Sequence, residues 1–200
     1  MTVACRLCIV RHGETDWNAA GILQGWSDVP INAKGRTQAR QLAAAFAGSG
    51  IKRVWTSPLI RSLETAQIIT ARLGLPLPRC HDGLKERNFG IIQGVPKSEL
   101  AELNPVLLQQ ILKRNPAASF DGGETMDEFA DRVLAALVEI GTQGGANGAG
   151  PLLLITHGWV LDVVTRHVRG LPRSAMLGVK PKNGESLWVE VSGGEILPAG

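Results

Sequence analysis

The sequence predicts an α/β sandwich built on a largely parallel sheet. Short apolar runs alternate with stretches of helical periodicity along the chain. The two strongest runs, residues 3–10 and 151–156, read as buried central strands. Both end on a histidine followed by a glycine, His12-Gly13 and His157-Gly158.

Taken in order, residues 3–10 form the first strand. Residues 11–34 show no period and carry Gly13, Gly21, Gly25 and Pro30; they predict a long ordered loop, a feature that inside a compact domain is usually functional. A helix over 37–46 places Ala39, Leu42, Ala43 and Phe46 on one face, with Gly48 beyond its end. Residues 53–56 are a second strand. Ser57-Pro58 then opens a helix, with Ser57 as N-cap and Pro58 at the first helical position. Leu59, Leu63, Ala66 and Leu73 are its buried stripe, and Gly74 and Pro76 end it.

Residues 77–96 return to loop and short extended structure carrying Glu86, followed by short helices over 97–103 and 105–114. Thr125-x-x-Glu128 is a capping box opening an amphipathic helix through Met126, Phe129, Ala130, Val133, Leu137 and Ile140. Residues 144–150 predict a surface loop. After the strand at 151–156 come a helix through Val160, Val164 and Val168 and strands near 176–179 and 185–191.

Two hundred residues suit one domain over 1–200, and 44% apolar with 20% charged residues is ordinary for a globular chain. No apolar run is long enough to span a bilayer, and residues 1–6 lack a secretory pattern. Three cysteines at irregular spacing make a poor disulfide framework. These features predict a cytoplasmic protein without a membrane partner. Cys5 and Cys8 face opposite sides of a strand, so they read as small apolar residues rather than half a zinc site. No second pair stands at metal-ligand spacing. The +3 net charge is scattered and aromatic content is 4%, which argues against a nucleic-acid partner.

In open α/β sheets ligands collect where strands end at their carboxyl edge, and Arg11, His12, Ser57 and His157 all sit at such ends. Phosphoryl transfer needs an unprotonated nucleophile, cations or N–H groups for the equatorial oxygens, and an acid for the departing alkoxide. His12 suits the first role, because imidazole is largely neutral near pH 7. Arg11 and Arg61 offer planar donors. His157 can donate if protonated, and the Gly158 N–H at a helix start adds another donor. Glu86 is the candidate acid. Singly, each has a blander reading: a strand end, a solvated helix residue, a loop carboxylate, a capped structural histidine. Their ordered combination is what points to chemistry.

Arg11-His12-Gly13-Glu14-Thr15 with Trp17-Asn18, then Gln24-Gly25-Trp26-Ser27-Asp28, Asn32 and Gly35, resembles the N-terminal signature of the histidine phosphatase superfamily, also called phosphoglycerate mutase-like. Ser57-Pro58-Leu59-x-Arg61, Leu84-x-Glu86 with Gly90 and Gly94, Gly122-Gly123-Glu124 and Thr156-His157-Gly158 continue the resemblance in order, over about residues 5–168. It implies a three-layer α/β/α sandwich with a mostly parallel mixed sheet and a covalent phosphohistidine on His12. The phosphate pocket it implies is made by Arg11, Arg61 and His157, with Glu86 as acid and no metal or cofactor. Asn18, Gln24, Gly25, Arg87 and Gly158 are the substrate-binding positions it suggests. Gly158 stands where the superfamily's other branch carries an Asp acid, which favours branch 1.

Glu86-Arg87, Gly90, Gly94 and Lys97 resemble the cofactor-dependent mutases. The chain has no Tyr, however, and carries Phe89 where the mutases carry one. Its interval between the Glu86 and Gly-Gly-Glu blocks is short, with Lys113-Arg114 only a loose substitute for the mutases' substrate-gripping arginine pair. Gln24 replaces a small hydroxyl residue. The expectation is therefore a phosphatase of small phosphorylated metabolites, with mutase activity and a non-catalytic phosphometabolite-binding protein as the alternatives. Residues 92–121 are expected to cover the pocket and select substrate. Trp17, Trp26 and Trp159 are candidate pocket walls and Asn183 a candidate neighbour; His81 and His167 receive no role.

Overall fold

The computed structural model describes residues 4–148, 150–177 and 186–199. In chain order the elements are β1 (Cys5–Arg11), α1 (Asp16–Ala20), α2 (Ala33–Ala45), β2 (Arg53–Thr56), α3 (Ile60–Leu73), β3 (Arg79–Cys80), α4 (Lys97–Leu103), α5 (Pro105–Leu112), α6 (Met126–Ala146), β4 (Leu152–Thr156), α7 (Gly158–Val168), β5 (Ser186–Ser192) and β6 (Glu195–Pro198). Single 3₁₀ turns at Asp82–Leu84 and Gly90–Ile92 bracket Glu86.

The strands form one sheet in the order β3-β2-β4-β1-β5-β6. The first four run parallel, while β5 pairs antiparallel with β1 and β6 antiparallel with β5. Alternation along β1 sends Cys5, Leu7 and Ile9 to the face covered by α6 and α7. Cys8 and Val10 go to the face covered by α2 and α3. The two faces make the three layers that the resemblance implied, and Cys5 and Cys8 lie on opposite sides of the sheet. Every residue of β4 is buried, as a central strand between two helix layers requires.

Several elements depart from expectation. The predicted loop over 11–34 contains α1, a five-residue helix closed by a capping box between Thr15 and Asn18. The second helix begins at Ala33, earlier than 37, because Asn32 accepts the Gly35 N–H and caps it. Ser57 is not the N-cap of α3. That helix starts at Ile60, and Asp28 from the loop before α2 accepts the Ile60 N–H instead.

The glycine-rich stretch read as a loop from 144 is helical as far as Ala146. Its small residues are what let the helix lie flat on the sheet: a side chain at Gly144 would meet Cys5 Sγ at 2.6 Å and Leu152 Cδ1 at 2.8 Å. β6 was not anticipated. Met176 and Leu177 are not in a strand. The remainder of the strand expected near 176–179, the first residue of the one near 185–191, and also Val3, Ala149 and Asn183, lie outside the described residues. No helix among the described residues is long and apolar enough to cross a membrane.

Candidate active site

β1 and β4 are adjacent and in register, Arg11 opposite Thr156. The two histidines that follow these strands are thereby brought together. The His12 N–H donates to the Thr156 carbonyl at 2.9 Å, and the His12 and His157 rings lie 5.1 Å apart, edge to face. β2 lies on the other side of β4, and the Ser57 N–H donates to the Ile155 carbonyl at 3.0 Å. Beyond it α3 delivers Arg61. Gly13 is required here for space: a Cβ would sit 2.6 Å from the Gly35 carbonyl oxygen.

Arg11, His12, Arg61 and Glu86 line one cavity of about 220 Å³. His12 is 3% exposed, and its Nδ1 lies 2.6 Å from the Gly13 carbonyl. A carbonyl oxygen only accepts, so Nδ1 carries the proton, and in the neutral ring Nε2 holds the lone pair. Burial, followed by the charges of Arg61 and Arg11, holds the His12 pKa well below the usual imidazole value. The ring is therefore a neutral imidazole rather than an imidazolium.

Arg61 is buried, with Nη1 donating to the Ser27 carbonyl at 2.9 Å and Nη2 to the Gly25 carbonyl at 2.7 Å. Burial lowers the pKa of Arg11 and of Arg61 to about 10, which leaves both charged at neutral pH. His157 is fully buried and does not line the cavity as expected. It sits behind His12, with Nε2 3.3 Å from Ser62 Oγ and Nδ1 without a hydrogen-bond partner. Burial, then Arg61 and the neighbouring His12, hold its pKa well down too.

Glu86 lines the same cavity from the loop between the two 3₁₀ turns. The Arg87 N–H donates to its Oε1 at 2.9 Å, and its main chain is held from several sides. Thr156 Oγ1 donates to the Leu84 carbonyl at 2.7 Å, tying this loop to the end of β4. Trp26 Nε1 donates to the Glu86 carbonyl at 2.7 Å.

Of the expected substrate-binding residues, Asn18, Gln24 and Gly25 line the cavity. Asn18 Oδ1 accepts the Thr15 N–H, and Gln24 Oε1 accepts from Thr15 Oγ1. Arg87 does not line it. Its guanidinium is buried between Phe120 and Trp159 and donates to the Glu124 and Ala118 carbonyls, so it serves packing where substrate binding was expected. Gly158 is covered: its missing side chain makes room for the Arg114 guanidinium, whose Nη1 would lie 2.8 Å from a Cβ there.

Arg114 is the residue that sequence reasoning undervalued. It lines the cavity, has φ of 51°, and pairs through Nη1 with the fully buried Asp162 of α7 at 2.9 Å. Burial raises the Asp162 pKa to about 6 against the pull of Arg114. The available signal was an aspartate inside the run Val160-Leu161-Asp162-Val163-Val164, since a carboxylate in an apolar stripe needs a buried partner. Lys97, Ile111 and Leu112 join Arg114 in the cavity wall. The 92–121 segment thus does reach the pocket, and Trp159 lines it while Trp26 stays on its rim, 37% exposed.

An imidazole lone pair in one cavity with guanidinium groups and a carboxyl suits attack on a phosphoryl centre. Comparison with known proteins agrees. Residues 7–197 match the family described as histidine phosphatase superfamily (branch 1). The chain is 34% identical over 167 residues, 82% of its length and 77% of the relative's, to a Bacillus subtilis protein described as uncharacterized phosphatase PhoE. It is also 34% identical over 200 residues, 96% of its length and 91% of the relative's, to a probable phosphoglycerate mutase, GpmB, of Shigella boydii. The solved structure of Bacillus stearothermophilus YhfR superposes with a TM-score of 0.84 at 27% identity, covering 96% of this chain and 94% of that one. The chain belongs to branch 1 of the histidine phosphatase superfamily.

Proposed function

We propose that this protein hydrolyses phosphomonoesters of small phosphorylated metabolites through a phosphohistidine on His12. The observation that carries the reading is the state of His12: neutral, with Nδ1 anchored on Gly13, in one cavity with Arg11, Arg61 and Glu86. In the first step Nε2 attacks phosphorus, the ester P–O bond breaks, and the departing oxygen takes the Glu86 proton. Arg11 and Arg61 neutralise the equatorial oxygens, and His157, edge to face against the His12 ring, holds that ring in place. In the second step Glu86, now a carboxylate, takes a proton from water as its oxygen bonds to phosphorus. The P–N bond breaks, and inorganic phosphate leaves. The charge balance is met by arginines, so turnover is expected to persist in EDTA. The free cysteines Cys5, Cys8 and Cys80 support a cytoplasmic location, and the cavity size supports a small-molecule substrate with neither nucleic acid nor membrane as partner.

Acid-labile label on His12 after quenching turnover of a ³²P-labelled substrate, absent in His12→Ala, is the expected result. Acid-stable label on Ser57 or Thr156 would overturn the mechanism. Lys97 and Arg114 in the cavity wall, together with the GpmB likeness, favour phosphoglycerate mutase activity as the second reading. Assay with 3-phosphoglycerate, with and without 2,3-bisphosphoglycerate, separates the two: phosphate release marks a phosphatase, bisphosphate-dependent isomerisation a mutase.

A further inference from the structure

The Gly122-Gly123-Glu124 block touches no part of the cavity, yet its glutamate organises the loop that carries the acid. Glu124 Oε1 and Oε2 accept from Arg132 Nε and Nη2, each at 2.8 Å. Oε2 also accepts the Asn88 N–H at 2.8 Å, while the Glu124 carbonyl accepts from Arg87 Nε at 3.0 Å. Oriented in this way by a two-point carboxylate contact, Arg132 turns its remaining donors onto the loop itself. Nη1 reaches the Gly83 and Lys85 carbonyls at 3.0 and 3.1 Å, and Nη2 reaches the Glu86 carbonyl at 3.2 Å. The peptide bonds on both sides of Glu86 are thus held by one ion pair that sits outside the active site.

Trp26 completes the arrangement. Its indole N–H donates to the same Glu86 carbonyl, and its ring lies under Lys85 and Arg132. Trp26 stands between Gly25 and Ser27, whose carbonyls hold the Arg61 guanidinium. One three-residue segment therefore grips the phosphate-side arginine with its backbone and the acid-side loop with its indole.

We propose that Glu124 and Arg132 are positioning residues for proton donation, fixing Glu86 against the leaving-group oxygen, with Trp26 setting the distance between Glu86 and Arg61. The inference rests on the phosphatase reading with Glu86 as donor. Displacing a general acid slows reactions in proportion to how much the leaving group needs its proton. A nitrophenolate needs little, whereas an alkoxide needs it fully.

The test measures kcat and KM on p-nitrophenyl phosphate and glycerol 3-phosphate for wild type, Glu124→Gln, Arg132→Lys and Trp26→Phe. Lysine keeps the charge of Arg132 but lacks the planar fork. Phenylalanine keeps an aromatic ring but lacks the N–H, at a position that is 37% exposed. Within the ~10²–10⁴-fold that general acids supply, kcat on glycerol 3-phosphate is expected to fall about 10–100-fold in the first two variants and about 3–10-fold in Trp26→Phe. KM is expected to hold, and p-nitrophenyl phosphate turnover to change by less than about 3-fold. Parallel losses on both substrates, or no loss on glycerol 3-phosphate, would overturn the inference while leaving the phosphatase reading intact. A wild-type protein that turns over neither substrate would sink both.

Discussion

His12 and His157 are kept neutral by the same surroundings, burial first and then the arginines beside them. In the unfolded chain each protonates near its ordinary value of about 6.5. Below that pH the unfolded state binds protons that the folded state refuses, so stability present above about pH 6.5 is lost as pH falls, by at most about 1.4 kcal/mol per pH unit per histidine. Asp162, with its pKa raised to about 6, acts in the opposite sense: between about pH 6 and its ordinary ~3.9 the folded state is the one that takes the proton. The two histidines outweigh it. The urea midpoint is therefore expected to drop between pH 7 and pH 5, and His157→Gln to flatten that slope. An unchanged slope would mean that His157 is already charged in the folded protein. That Arg11, His12, Arg61 and Glu86 share one cavity was legible because the roles implied by the resemblance admit few residue types in a fixed order. Arg87 was misread and Arg114 undervalued for a different reason. Whether an arginine beside the acid loop turns into the cavity or into the core depends on Phe120, Trp159 and Asp162, which are distant in sequence.

At the scale of elements, α6 illustrates how packing overrides propensity. Replacing a mid-helix glycine with alanine ordinarily stabilises a helix by about 1 kcal/mol. At Gly141 the new Cβ would run into the Val191 side chain of β5, and overpacking a filled interface costs about 1–3 kcal/mol. The second effect wins. Gly141→Ala is expected to lower stability by up to about 2 kcal/mol, measured by urea unfolding; a stabilised variant would show that β5 yields. The long strands, α6 and α7 were legible from period and capping chemistry. Helix starts were less so: α1 is too short to show a period, and α3 takes its cap from Asp28, a residue 32 positions before Ile60. Composition misled at residues 144–146, where Gly144, in a stretch that looks like a linker, is a close-contact position of a helix.

The whole molecule meets at its cavity, to which β1, α1, α3, the Glu86 loop, α5 and α7 each contribute a lining residue. Two buried guanidinium groups face it at a cost that an anion relieves. Orthovanadate at about a hundredfold over its Kd should stabilise the fold by about 2.7 kcal/mol, raising Tm by about 5–10 °C for a chain of this size. Chloride at equal ionic strength should not, and Arg61→Ala should lose the shift.

The strand order has a consequence for how the protein comes into being. β4 lies between β1 and β2, so neither of the earlier strands has its central neighbour until residues 152–156 have been synthesised. A chain emerging from the ribosome carries Arg11, His12, Arg61 and Glu86 long before β4 aligns them, and such long-range parallel pairing forms slowly. Appearance of activity in a synchronised translation reaction would therefore time the insertion of that one strand.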